Sequence, residues 1–119
     1  MKKIRKLGIL TGGGDCPGLN AVIRAVVHTA QRQYGIKVCG IMDGYAGLIQ
    51  KNVCPLELAD VSGILPRGGT ILGTSNRDNP FRYAVDAPGR KQEYCDVSAQ
   101  ALKTIEYNEI DVLLAVGGD

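Results

Sequence analysis

Three glycine clusters, one arginine and one aspartate are the groups in this 119-residue chain best suited to handling phosphate. Gly12-Gly13-Gly14 runs into Asp15, Cys16, Pro17 and Gly18, Gly68-Gly69 precedes a cationic stretch containing Arg77, and Gly117-Gly118 precedes Asp119. Glycine carries no Cβ, so a backbone can approach a phosphate closely there. Arg77 is a planar, permanently charged donor, and Asp119 offers the hard oxygen that Mg²⁺ prefers. Cradle, cation and metal carboxylate are the parts of a phosphoryl-transfer site. The pattern is neither a P-loop, since no G-x-x-x-x-G-K-[ST] is present, nor the dinucleotide G-x-G-x-x-G. Pro17 would fall inside the latter, and no clear ribose carboxylate closes the second strand, although Asp43 lies close. Residues 67–91 hold Arg67, Arg77, Arg82, Arg90 and Lys91 against Asp78 and Asp86. Such a stretch after a glycine pair fits an anion-binding loop, with a merely solvated loop as the alternative.

The elements that must position these groups follow from apolar periodicity. Residues 4–11 read as a strand ended by the first glycine cluster. Asp15 is placed to cap the next helix, and Pro17 suits its first turn. Leu19, Val22, Ile23, Val26, Val27 and Ala30 recur at helical spacing, and Gly35 stops the run. Residues 37–41 read as a second strand, completing a β-α-β unit with parallel strands and a right-handed crossover. Residues 43–47 read as a turn-rich loop, 53–56 as a short strand, 58–65 as a short helix and 76–91 as a mobile surface loop. A helix is predicted over 98–107 with Ala101, Leu102 and Ile105 on one face, then an apolar strand over 110–116 buried on both sides. The fold class is α/β, an open and mostly parallel, Rossmann-like sheet of β-α-β units. In such sheets ligands bind at the carboxyl ends of the strands, where the first and last glycine clusters fall. The helix after Asp15 adds its N-terminal N–H groups and dipole to the same place.

Composition bounds the rest. At 12.7 kDa the chain makes one domain. A net charge of +2 does not suggest nucleic-acid binding. Lys2, Lys3, Arg5 and Lys6 read as a solvated terminus, and no apolar run approaches membrane-spanning length. Cys16, Cys39, Cys54 and Cys95 form no CxxC pair, which with the missing secretory signal favours a reducing, cytoplasmic setting. Cys39 reads as a small core residue. Cys16, near a helix N-terminus, is the one thiol whose pKa that position would lower.

Read together, the motifs resemble the N-terminal part of the 6-phosphofructokinase family. The matching stretches are LTGGGDCPGLNAVIR at residues 10–24, GIMDGYAGL at 40–48, RGGTILGTSNR at 67–77 and VGGD at 116–119. Their order and spacing follow the family, and they cover essentially the whole chain. The resemblance implies phosphoryl transfer to the 1-hydroxyl of fructose 6-phosphate, with Mg²⁺ and either ATP or pyrophosphate as donor. Carried over by position, Gly14 lies against the donor phosphates and Tyr45 neighbours the adenine of ATP. Arg77, with Asp78 beside it, takes the donor-phosphate position, and Asp119 takes the Mg²⁺ site with Gly118 beside it. The family also implies a homo-oligomer, dimer or tetramer.

Departures from the pattern matter as well. The family's effector site in bacterial allosteric enzymes uses a basic pair one helical turn apart; here Arg24 is the first partner, and His28, neutral for most of its time near pH 7, replaces the second. The loop before Arg77 is one residue longer than in those enzymes and resembles the branch that includes pyrophosphate users. The residue after Gly-Gly-Asp separates donors in the family, and that position lies past Asp119. So does the later motif whose aspartate is the catalytic base, so no catalytic residue is expected among residues 1–119, which read as the donor-binding first third of an enzyme and as inactive alone. Two other readings stay open: a kinase of the NAD or lipid type, which shares a Gly-Gly-Asp loop, and a non-catalytic nucleotide- or anion-binding module.

Overall fold

The computed structural model describes residues 3–13, 18–64, 69–74, 80–81, 83–85 and 93–117. Its centre is β1 (Lys6–Gly12), flanked by β2 (Lys37–Ile41) and β6 (Val112–Gly117), both parallel to it. β3 (Val53–Leu56) closes the other side of β2 and runs antiparallel, giving the order β3-β2-β1-β6. α1 (Leu19–His28) connects β1 to β2, α2 (Tyr45–Gln50) connects β2 to β3, and α3 (Ser98–Tyr107) precedes β6. β4 (Tyr83–Val85) and β5 (Glu93–Cys95) form a separate antiparallel pair.

The period-two alternation of strands splits the core into two layers. Ile9 and Val38 point to one face, where Ile23 and Val27 of α1 join Val61, Ile64 and Leu72. Leu10, Cys39 and Ile41 point to the other, against Leu48 of α2 and Ala101 of α3. Helices thus cover both faces of the sheet, as in a doubly wound fold. Burial at Cys39 pushes its thiol pKa up, so it behaves as the small core residue its sequence position suggests.

The strands over 37–41 and 53–56 and the helix over 98–107 match expectation. Other elements differ for physical reasons. α1 starts at Leu19 with Gly18 in the N-cap place at φ +100°; Asp15 and Pro17, expected as the cap and in the first turn, lie outside the described residues. After His28 the helix widens into a π turn, Thr29–Gln33, before Gly35 at φ +62°. The loop expected over 43–47 is a turn only at Asp43 and Gly44, and α2 begins at Tyr45. Gly47 reads as a breaker but is a packing residue: a Cβ there would run into the backbone of Met42. The helix expected over 58–65 shrinks to a 3₁₀ turn, Leu58–Val61. Within the surface loop expected over 76–91 sits β4; 76–79, 82 and 86–91 lie outside the described residues.

On α3 the buried positions are Ala101 and Thr104, while Leu102 is 59% exposed. The stripe turns because the Thr104 hydroxyl donates to the Leu48 carbonyl at 2.5 Å and locks α3 onto α2. Among the described residues β6 pairs with β1 alone and is half-exposed rather than buried on both faces. The basic terminus also does more than solvate. The Arg5 and Lys6 N–H groups donate to the Asp111 carboxylate at 2.8 and 3.1 Å, and Lys6 Nζ donates to the Asn108 carbonyl at 2.7 Å. Asp111 therefore ties the start of β1 to the start of β6.

Removing that carboxylate leaves two strand-end N–H groups without their charged acceptor, so Asp111→Ala should cost about 1–3 kcal/mol, read as a lowered midpoint in denaturant. Gly117 has φ +126°, and a Cβ on it would strike the Gly12 carbonyl, whereas a Cβ on Gly12 meets nothing within 4 Å. Gly117→Ala should therefore destabilise by more than about 1 kcal/mol, while Gly12→Ala should stay within about 0.5 kcal/mol; equal midpoints for the two variants would refute this assignment.

Candidate functional site

β1 and β6 end side by side, with Leu10 opposite Ala115, Thr11 opposite Val116 and Gly12 opposite Gly117. The first and last glycine clusters, 105 positions apart in sequence, thus meet at the carboxyl ends of two parallel strands. Gly13 continues from β1 with φ +74°, and Gly18 turns the chain into α1 at φ +100°. Both glycines adopt the left-handed region that side chains disfavour.

A strap formed by residues 69–74 lies over this rim. From the β1 side, the Thr11 hydroxyl donates to the Gly73 carbonyl at 2.8 Å and sits 3.0 Å from the Thr70 hydroxyl. From the α1 side, the Asn20 N–H donates to the Gly69 carbonyl at 3.2 Å, and Asn20 Oδ1 accepts the Ile71 N–H at 2.6 Å. From the β2 side, the Asp43 N–H donates to the Leu72 carbonyl at 2.8 Å. Asp43 holds φ +57°, unusual for a residue with a side chain. Gly73, at φ +77°, packs so closely on the Asp43 carboxylate that a Cβ would collide with it. Three elements thus grip one loop from three sides.

Thr11 and Asn20 are 0% and 2% exposed, and neither is singled out by motif reading alone. Asn20 had a signal: it is a polar residue on the same helical stripe as the buried Ile23 and Val27. Thr11 had none beyond closing an apolar strand. One N–H in the first turn of α1 is committed to Gly69, so the helix end is partly used in binding the strap rather than left open to a ligand.

Of the residues expected to bind donor or metal, Tyr45 is described: it starts α2 just past the Asp43-Gly44 turn and is 36% exposed. Gly14, Arg77, Asp78, Gly118 and Asp119 lie outside the described residues; Gly12, Gly13 and Gly117, their described neighbours, come together. Arg24 is half-buried midway along α1, one turn from the half-buried His28. The His28 pKa is lowered by desolvation and by the neighbouring Arg24 and Arg32 charges. Among the described residues no group of three His, Cys, Asp or Glu could hold a metal ion, and no helix is long and apolar enough to cross a membrane. Two grooves lie elsewhere among the described residues. One of about 1040 Å³ opens among Arg5, Lys37 and Glu109, at the amino ends of the strands. Another of about 840 Å³ lies along the outer flank of α3 beside Lys51 and Tyr107.

Known proteins place this arrangement. The chain is 50% identical over 119 residues to an ATP-dependent 6-phosphofructokinase 2 of Clostridium perfringens, covering 100% of this chain and 32% of that protein. It is 48% identical over 100 residues to a pyrophosphate–fructose 6-phosphate 1-phosphotransferase of Streptomyces coelicolor, covering 84% of this chain and 29% of that one. The crystal structure of Pichia pastoris phosphofructokinase in the T-state superposes with a TM-score of 0.76 at 36% identity, over 99% of this chain and 11% of the other. The chain spans about a third of the length of the curated bacterial relatives it matches. The phosphofructokinase family model matches residues 6–119, from the first residue of β1 onward, and the chain belongs to the phosphofructokinase family.

Proposed function

We propose that residues 1–119 are the phosphoryl-donor-binding part of an enzyme that transfers phosphate from ATP or pyrophosphate to the 1-hydroxyl of fructose 6-phosphate, a cytoplasmic glycolytic step. The observation that carries this is the pairing of Gly12 with Gly117 at the carboxyl ends of parallel strands, in a chain of this family. Glycine backbone at the rim admits a phosphate chain that a Cβ would hold off. Gly14 and Gly118 would line that chain, and Arg77, next to Asp78, would neutralise its charge in a fork of N–H donors. Tyr45, at the exposed start of α2, would lay its ring beside the adenine when the donor is ATP. Mg²⁺ would be held by Asp119 and would neutralise charge on the donor phosphates. A single protein carboxylate, with phosphate and water oxygens completing the shell, is a common mode of Mg²⁺ binding. The catalytic base, the sugar-phosphate contacts and the homo-oligomer contacts would come from the rest of the enzyme.

The test is a coupled assay of the full-length protein with Mg²⁺, fructose 6-phosphate and each donor in turn. Fructose 1,6-bisphosphate should form with one donor, and Arg77→Ala should lower turnover by about 10²-fold or more. Binding of a Mg²⁺-nucleotide without turnover from any sugar phosphate would instead make this a non-catalytic binding module.

The effector position follows a different rule. Arg24 would take one half of the family's effector contact, but His28 stands where a second permanent cation is expected. Desolvation and its flanking arginines hold His28 below its ordinary 6.5, so it is mostly neutral at pH 7 and adds little to anion binding there. The sign for stability follows: above 6.5 His28 contributes nothing, and as pH falls toward its folded value the unfolded chain takes up the proton first, so stability drops. An NMR titration should place the His28 midpoint below 6.5; a midpoint above it would mean that an unseen anion sits on this face.

A further inference from the structure

We propose that Thr11 is a positioning residue for the phosphoryl donor, acting through the strap at residues 69–74. The inference rests on the donor-site reading above and adds a residue to it. Thr11 is 0% exposed, so its side chain touches no ligand and any effect on the reaction must pass through what it holds.

The hydrogen-bond chain has only one possible direction. The Leu72 N–H can only donate, so Thr70 Oγ1 accepts it at 3.1 Å. The Gly73 carbonyl can only accept, so Thr11 spends its one hydroxyl proton there at 2.8 Å. The two hydroxyls lie 3.0 Å apart, and Thr70 must therefore be the donor between them. Among the described residues, the sequence Leu72 N–H to Thr70, Thr70 to Thr11, Thr11 to Gly73 uses both hydroxyl protons. It fixes both halves of the strap to Thr11, the last residue of β1 with a side chain, one position before the glycine rim begins. An isosteric Thr11→Val keeps the packing but strands the Thr70 proton and the Gly73 carbonyl. Thr11→Ser keeps the hydroxyl.

The full-length enzyme separates positioning from plain structural support. Thr104 is a suitable control: it is also buried at 1% exposure, and its hydroxyl holds α3 to α2 through Leu48, away from the rim. Thr11→Val should lower kcat/KM for the phosphoryl donor about tenfold and leave KM for the sugar phosphate within about twofold. Thr11→Ser should recover donor kinetics, and Thr104→Val should lose stability without the donor effect. Unchanged donor kinetics in a folded Thr11→Val, failure of the serine to rescue, or an equal kinetic loss in Thr104→Val would each overturn the proposal. Amide exchange supplies a readout independent of the reaction. Leu72 N–H exchange should quicken in Thr11→Val and not in Thr104→Val, and unchanged Leu72 exchange overturns the strap assignment. If the wild-type enzyme phosphorylates no fructose 6-phosphate, that result falls on the function reading alone, and Leu72 exchange still decides whether Thr11 holds the strap.

Discussion

A threonine hydroxyl has one proton to give, and at Thr11 that proton is committed to the Gly73 carbonyl. Around this bond the upper end of the molecule is organised. β1 is the strand with parallel neighbours on both sides, so its last side chain is the fixed point from which a loop can be hung. Asn20 grips the same loop from α1, and Asp43 grips it from β2. Each of these buried or strand-end polar groups would be costly without its partner. The loop is thus specified by polar satisfaction rather than by an apolar core of its own, with Leu72 buried in the hydrophobic layer and Ile71 packed against it.

The glycines sort into kinds that composition alone lumps together. Gly47 and Gly40 are glycine because another part of the chain occupies the place of a Cβ: the Met42 backbone in one case, the Leu72 and Leu56 side chains in the other. Gly117 combines such a collision with a positive φ. Gly12 has neither constraint, and its Cβ position opens on empty space at the rim. Packing therefore explains part of the glycine enrichment, and the unfilled space at Gly12 belongs to the side where a ligand would approach.

Much of the layer order was readable from the sequence, because apolar period and glycine stops are local signals. The strands over 37–41 and 53–56 and the helix over 98–107 show this. The direction of β3 was not readable, since a four-residue apolar run looks the same either way round. Its reversal is set by Lys51 at φ +61° and by the Asn52 N–H returning to the Gly47 carbonyl at 2.8 Å. β6 looked like an interior strand because its residues are apolar; its exposure depends on which neighbours flank it, which is a non-local fact. Asp111 was invisible for the same reason, as its two partners sit more than a hundred positions upstream. The motif glycines Gly12 and Gly117 do come together at the carboxyl ends of β1 and β6, while the residues that hold the strap there carry their signal only in burial.

The reversal of β3 also sets a border. Its carboxyl end faces away from the other three, so on that side the carboxyl-end rim stops at β2. Three adjacent strand ends are two interstrand gaps across, roughly 10 Å. A short phosphate chain fits within that footprint. On the β2 side, anything attached to it would leave the rim past the turn that starts α2. The orientation of one four-residue strand thereby limits, on that side, the directions in which a ligand larger than its phosphates would lie.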